Sequence, residues 1–89
     1  MSYALEVIPS CKKDISKACK KNSVLERALR NKIAEILNDP LRFKPLSYAL
    51  AGERRVHILK SFVLKYTVDS DNNVVTFVFF GHHDDAYRR

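Results

Sequence analysis

The apolar positions in the N-terminal part of the chain predict a strand followed by two helices. Apolar residues alternate with polar or small ones over residues 3–7, the pattern of a short strand. Pro9-Ser10 ends this strand, and Ser10 is the predicted N-cap of a helix that is broken at Lys21-Asn22. The second helix is predicted to begin in the capping box Ser23-Val-Leu-Glu26 and to stop before Pro40. Its apolar stripe, with a period of about 3.6 residues, consists of Leu25, Ala28, Leu29, Ile33, Ile36 and Leu37.

The chain after Pro45 alternates with the period of a β-sheet. Val56 and Ile58 alternate with polar residues, and a longer alternation covers residues 62–68. Residues 69–73 favour a turn. Residues 74–80 are apolar except for Thr76, which predicts a central strand covered on both faces. The predicted order is β-α-α-β-β-β: an α+β domain with an α-hairpin packed on one face of a four-stranded, mainly antiparallel sheet.

The length and composition favour a single small domain over residues 1–89. The apolar start, residues 1–8, is too short for a signal peptide, and no apolar run approaches the about 20 residues of a membrane span. We therefore expect a cytoplasmic protein with no membrane partner. Cys11 and Cys19 share the first predicted helix about 12 Å apart along its axis, and a disulfide needs Cα atoms within about 7 Å. No bridge between them is expected.

The net charge of +6 comes from basic residues that form two blocks. The first block lies within residues 11–21 and contains Lys12, Lys13, Lys17, Lys20 and Lys21, with Asp14 as the only acidic residue. The second block contains Arg42, Lys44, Arg54, Arg55, Lys60 and Lys65, with Glu53 as the only acidic residue. Such blocks attract phosphates or acidic proteins. The first block is equally well explained as a solvated face.

All three histidines lie in the sheet half of the chain. His57 alternates with Val56 and Ile58, so its side chain points away from that apolar pair. His82 and His83 follow the most apolar strand. Each has an ordinary alternative: an isolated strand histidine is often only half-exposed, and a polar tail is often only solvated. Metal binding is not expected, because adjacent residues of an extended chain point to opposite sides and no zinc-ligand spacing is present.

One chemistry suits these residues, namely cleavage of RNA through its own 2′-hydroxyl. It requires a base for that hydroxyl, an acid for the departing 5′-oxygen and cations near the phosphorus. Histidine exchanges protons near neutral pH, and Arg and Lys supply the cations. Neither a metal nor a cofactor is required, so none is expected.

Several segments of the second half resemble the RelE/ParE superfamily of bacterial and archaeal toxins, and most closely its YafQ-like ribonuclease branch. The resemblance extends over residues 44–87. The segments that carry it are Lys44-Pro45-Leu46, Gly52-Glu-Arg-Arg-Val-His57, Phe62-Val-Leu-Lys-Tyr66, Gly81-His-His83 and Tyr87. The β-α-α start agrees in layout. The resemblance therefore implies a RelE-like fold.

The resemblance implies the toxin of a type II toxin–antitoxin system, an endoribonuclease that cleaves mRNA in the ribosomal A site. The implied partners are a cognate antitoxin and the ribosome with its mRNA. The toxin and antitoxin could assemble as a heterotetramer. The implied catalytic residues are His57, His83, Tyr87 and Lys44. The residues expected to bind RNA or phosphate are Arg54, Arg55, Lys60, Lys65 and His82.

Three positions depart from the pattern of the superfamily. Lys44 stands where the YafQ-like branch has a further histidine, and Ser61 where it has an aspartate. Val63 replaces an arginine of RelE itself, which favours the histidine-based mechanism. The sequence is also compatible with two other functions: a ParE-like toxin that poisons DNA gyrase and cuts nothing, and a non-catalytic RNA-binding module. ParE-like members generally lack the histidine cluster.

Overall fold

The computed structural model describes residues 3–42 and 53–83, and these residues form the predicted α+β domain. The elements are β1 (Ala4–Val7), α1 (Pro9–Lys20), α2 (Ser23–Asn38), a one-turn 3₁₀ helix (Pro40–Arg42), β2 (Glu53–Ile58), β3 (Phe62–Asp69) and β4 (Val74–His82). The predicted order of elements is confirmed. Among the described helices, none is both long and apolar enough to cross a bilayer.

Both predicted helix starts are wrong by one or two residues. Ile8 is the N-cap of α1, and Pro9 occupies the first turn, where its fixed φ suits a helix and its missing N–H costs nothing; Ser10 therefore lies inside the helix. Asn22 caps α2, because its side-chain oxygen accepts the N–H of Leu25 at 3.0 Å. Asparagine caps as well as serine does, so the helix starts one residue earlier than the capping box predicted.

The sheet has the strand order β1-β4-β3-β2. The pairs β2–β3 and β3–β4 are antiparallel, whereas β1 runs parallel to β4. A parallel neighbour requires a long connection between the two strands, and here the α-hairpin, β2 and β3 intervene. The predicted central strand, β4, lies between β1 and β3 as expected.

The core lies between the α-hairpin and one face of the sheet, which we call the inner face. Leu25, Leu29 and Ile36 of α2 are buried there. The sheet contributes Val56, Ile58, Leu64, Tyr66, Val75, Phe77 and Phe80. Ile33 was predicted to be buried with the α2 stripe but is only half-buried, since it lines an open groove with Ile15 and Cys19 of α1.

Tyr66 ties the end of the hairpin to the sheet. Its hydroxyl donates a hydrogen bond to the carbonyl oxygen of Pro40 at 2.8 Å, and the side chain is fully buried. Burial raises the pKa of Tyr66 to about 12, so the phenol stays protonated and keeps this bond at physiological pH. The residues after α2 are thereby fixed against β3.

Both cysteines are free, as the helical spacing predicted. Cys11 is buried on the side of α1 that faces the sheet. Burial together with the Asp14 carboxylate raises the pKa of its thiol to about 11. A thiol that stays protonated is a poor nucleophile. Cys11 is therefore a packing residue.

Candidate active site

The face of the sheet opposite the helices, which we call the outer face, carries Arg55 and His57 of β2. Val56 and Ile58 are buried in the core, whereas Arg55 and His57, which alternate with them, are exposed. Strand alternation therefore places Arg55 and His57 on the outer face. This confirms the orientation predicted for His57.

A bulge in β4 decides which side chains join His57. Lys65 and Tyr66 are consecutive in β3, yet they pair with Phe79 and Phe77, so Val78 is an extra residue in β4. Val75 and Phe77 point to the helices before the bulge, and Phe80 does so after it. Phe79 and the residues at every second position beyond it therefore lie on the outer face. Bulges often re-aim side chains next to active sites.

The bulge brings His83 to the same face as His57. The two imidazole rings are stacked, with centroids 5.6 Å apart and an angle of 28° between their planes. The backbone N–H of His83 donates to the carbonyl oxygen of Ser61 at 2.6 Å, which continues the strand pairing past His82. His57 is exposed and His83 is half-buried. The predicted proximity of these two histidines is present in the structure.

The strand register arranges the outer face in two rows. One row contains Arg55, Lys65 and Phe79, and the next contains His57, Val63 and Gly81. Val63, which replaces the arginine of RelE, is fully buried. The cationic side chains of Arg55 and Lys65 occupy the row beside that of His57.

The other described candidates lie away from this pair. Arg54 pairs with Tyr66 on the inner side of β2, and His82 packs edge-on against Phe62 with ring centroids 5.9 Å apart. Lys60 is exposed in the turn between β2 and β3. Of the five residues expected to contact RNA, the strand register places only Arg55 and Lys65 in the row next to the histidines.

Two of the predicted catalytic residues, Lys44 and Tyr87, lie outside the described residues. Their positions relative to the histidine pair stay predictions. Within residues 3–42 and 53–83, no three His, Cys, Asp or Glu side chains come together in a group that could hold a metal ion.

Sequence reasoning missed Phe79. A strand that is apolar at every position except Thr76 predicted burial on both faces, but Phe79 is half-exposed on the outer face. The ammonium of Lys65 lies over its ring, 5.3 Å from the centroid. No sequence signal distinguishes Phe79 from its apolar neighbours, because only the bulge determines its face.

The histidine pair can perform acid–base chemistry. Two imidazoles close to each other can divide the roles of proton acceptor and proton donor. Arg55 and Lys65 provide positive charge for an anionic substrate. The outer face is therefore suited to a reaction at a phosphate that needs one proton removed and another delivered.

Comparison with known proteins gives consistent matches over nearly the whole chain. Residues 5–87 match the family described as ParE toxin of type II toxin-antitoxin system, parDE. A Methanocaldococcus jannaschii protein whose name assigns it to the RelE toxins is 41% identical over 87 residues, covering 98% of this chain and 93% of that protein.

Solved toxin–antitoxin complexes have the same fold. The RelBE2 complex of Mycobacterium tuberculosis contains a chain with a TM-score of 0.76 and 21% identity, with 93% of this chain and 100% of that chain covered. A chain of the DinJ–YafQ complex of E. coli gives a TM-score of 0.77 and 19% identity, with coverage of 99% and 100%.

Proposed function

The chain belongs to the ParE toxin family of type II toxin–antitoxin systems, and within that family we propose that it is a ribosome-dependent mRNA endoribonuclease. One observation carries this proposal: His57 and His83 stack on the outer face of the sheet, with ring centroids 5.6 Å apart. In the proposed reaction the protein inhibits translation by cutting mRNA in the ribosomal A site.

The cleavage chemistry follows from two imidazoles acting on one phosphodiester. One imidazole removes the proton of the 2′-hydroxyl, whose oxygen then forms a bond to phosphorus. The bond from phosphorus to the 5′-oxygen breaks, and the second histidine, as imidazolium, protonates that oxygen. The nucleophile belongs to the substrate, so the step requires neither a metal nor a cofactor.

Cationic side chains stabilise the charge that develops on the phosphate oxygens. Arg55 and Lys65 share a row next to the histidines, and we assign them this role. Lys44 would add a third cation, and Tyr87 would orient the nucleotide by stacking. Arg54, Lys60 and His82 are assigned at most peripheral contacts with RNA, because they lie on the inner side of the sheet or in a turn.

The chemistry of the cleaved ends tests this function. When the chain is expressed in cells, translation should stop while DNA stays intact, and primer extension should map breaks within translated mRNA. The upstream fragments should end in a 2′,3′-cyclic phosphate and the downstream fragments should begin with a 5′-hydroxyl. Fragments with 5′-phosphates would contradict the mechanism. DNA damage without mRNA breaks would favour a gyrase-inhibiting toxin instead.

We further propose that the lysines of α1 bind the antitoxin, since a toxin of this class has a cognate antitoxin as its partner. Along α1 the exposed lysines line an open groove of about 600 Å³ with Pro9 and Ser16. The residues concerned are Lys12, Lys13, Lys17 and Lys20. Because α1 covers the inner face, this groove lies on the other side of the sheet from the histidines. An acidic segment could bind there without touching RNA.

Reversing the charge of Lys13 and Lys17 to Glu should weaken antitoxin binding by about tenfold at low salt and leave RNA cleavage intact. Calorimetric titration with the antitoxin, alongside a cleavage assay, measures both effects. The matched control reverses Arg27 and Arg30, which are exposed on α2 and give the same change in net charge. Equal loss of antitoxin binding and cleavage in the lysine variant would mean that this groove contacts RNA or ribosome.

A further inference from the structure

Phe79 is an aromatic side chain on the outer face of the sheet, in the row next to that of His57. It pairs with Lys65, which pairs with Arg55, whereas the neighbouring row runs from His57 through Val63 to Gly81. Large apolar side chains usually turn towards the core. Phe79 is instead half-exposed, and the ammonium of Lys65 lies over its ring.

Gly81 allows the Phe79 ring to lie along the strand. A Cβ atom built on Gly81 would be 2.9 Å from Cζ of Phe79, closer than two carbons can approach without a shift. The end of the ring therefore occupies the space that a side chain at position 81 would fill. This places the ring end in the same row as His57.

The ammonium group of Lys65 makes a cation–π contact with the Phe79 ring. It lies 5.3 Å from the ring centroid, within the range of a cation–π interaction. At exposed sites such an interaction changes an equilibrium by only about two- to fivefold. Stacking of a base on an aromatic side chain increases binding affinity by about 5- to 150-fold. A nucleobase can therefore displace the ammonium from the ring.

We propose that Phe79 is a stacking platform for a nucleobase of the RNA, next to the nucleotide whose bond is cleaved at His57 and His83. When the base arrives, Lys65 swings from the ring to a neighbouring phosphate, a short movement for its flexible four-carbon stem. This inference rests on the proposed function and extends it by a binding subsite. Every base has a π-face, so the platform accepts all four bases and acts on affinity rather than on sequence choice.

Replacing Phe79 with Leu tests the platform, because leucine keeps an apolar side chain on the strand but cannot stack. The probe is a short single-stranded RNA with a fluorescent adenine analogue and one 2′-deoxy nucleotide that prevents cleavage. The wild-type protein should quench the analogue by stacking. Phe79→Leu should bind the RNA about 5- to 150-fold more weakly and should not quench.

The cleavage assay on programmed ribosomes supplies the second readout. A platform residue touches a base and not the reacting atoms, so Phe79→Leu should raise KM and leave kcat close to that of the wild type. The matched control is Phe62→Leu, the same substitution at a half-buried phenylalanine of β3 that stacks on Phe80 on the inner face. Phe62→Leu should retain quenching and KM.

A substitution at Gly81 tests the geometry without removing the ring. Gly81→Ala should push the Phe79 ring off the strand and weaken RNA binding to about the level of Phe79→Leu. In the double variant Gly81→Ala/Phe79→Leu the two losses should not add, since both remove the same platform.

The outcomes separate the platform from the function it rests on. Unchanged affinity, quenching and KM in Phe79→Leu, with normal cleavage by the wild-type protein, would overturn the platform and leave the proposed function standing. If the wild-type protein cleaves no mRNA on ribosomes, the proposed function fails and the platform with it. Losses that add fully in the double variant would also overturn the platform, because they would mean that Gly81 acts independently of the ring.

Discussion

Replacing His83 with alanine should slow RNA cleavage by about 10²–10⁴-fold, the usual contribution of a positioned acid or base. Growth inhibition should disappear as a result. The fold should survive, because His83 is half-buried and its structural bond to Ser61 comes from the backbone N–H, which alanine retains. Antitoxin binding should also survive, since the α1 lysines lie on the other side of the sheet. Single-turnover cleavage on programmed ribosomes measures the effect directly.

His57→Ala should reduce the rate of RNA cleavage by a similar factor, and the two factors should not multiply in the double variant. Groups that share one proton-transfer mechanism act as a unit, so removing the second costs less than removing the first. Full toxicity of the double variant would return the chain to the non-cleaving class of toxins.

His82→Ala provides the contrast for His83→Ala. It deletes the same side chain from the adjacent position, but His82 packs against Phe62 on the other face of the sheet. Its loss should reduce cleavage by less than about tenfold, the size of a peripheral contact worth under about 1.4 kcal/mol. Equal losses at both positions would mean that the strand, rather than the His57–His83 pair, is being disrupted.

The arrangement of this pair shows where sequence reasoning stops. Alternation alone places His57 opposite Val56 and Ile58, because polar and apolar residues differ clearly in β2. In β4 nearly every residue from Val74 to Phe80 is apolar, so the pattern does not reveal which residues share a face. A one-residue bulge at Val78 therefore leaves no trace in the sequence, yet a one-residue shift moves every later side chain to the other face.

The proximity of His83 to His57 was consequently predicted from the family resemblance and not from periodicity. The same resemblance grouped Arg54 with the phosphate-binding residues, although alternation already places Arg54 on the side of Val56. The structure agrees with alternation there. Local strand pattern was the better guide in β2, and the resemblance was the better guide in β4, where the pattern is uniform.

The predictions of the two helix starts were wrong for a different reason. Ser10 and Ser23 are both good N-cap residues, but each has a competitor just before it in the chain. Pro9 suits the first helical turn and displaces the cap of α1 towards the strand. Asn22 is extended and its side chain reaches Leu25 at 3.0 Å. Several acceptable caps in a row determine that a helix begins, but not at which residue.

Replacing Leu29 with alanine should lower the free energy of unfolding by about 2–5 kcal/mol, as truncations of buried leucines do. Leu29 is 3% exposed and belongs to the core between α2 and the inner face. Domains of this class are stable by only about 5–15 kcal/mol, so the substitution removes a large share. For a domain of this size each kcal/mol corresponds to about 4–8 °C in Tm, and urea denaturation with thermal melts measures both quantities.

Ile33→Ala is the matched control for this change, because Ile33 lies one turn further along α2 and is only half-buried beside an open groove. It loses less apolar contact and leaves no closed cavity, so its cost should be clearly smaller than that of Leu29→Ala. Below their melting temperatures, both variants should cleave RNA at the wild-type rate, since neither residue reaches the outer face. Equal destabilisation by the two substitutions would contradict the packing of α2 on the sheet. It would also contradict the separation of a structural inner face from a reactive outer face.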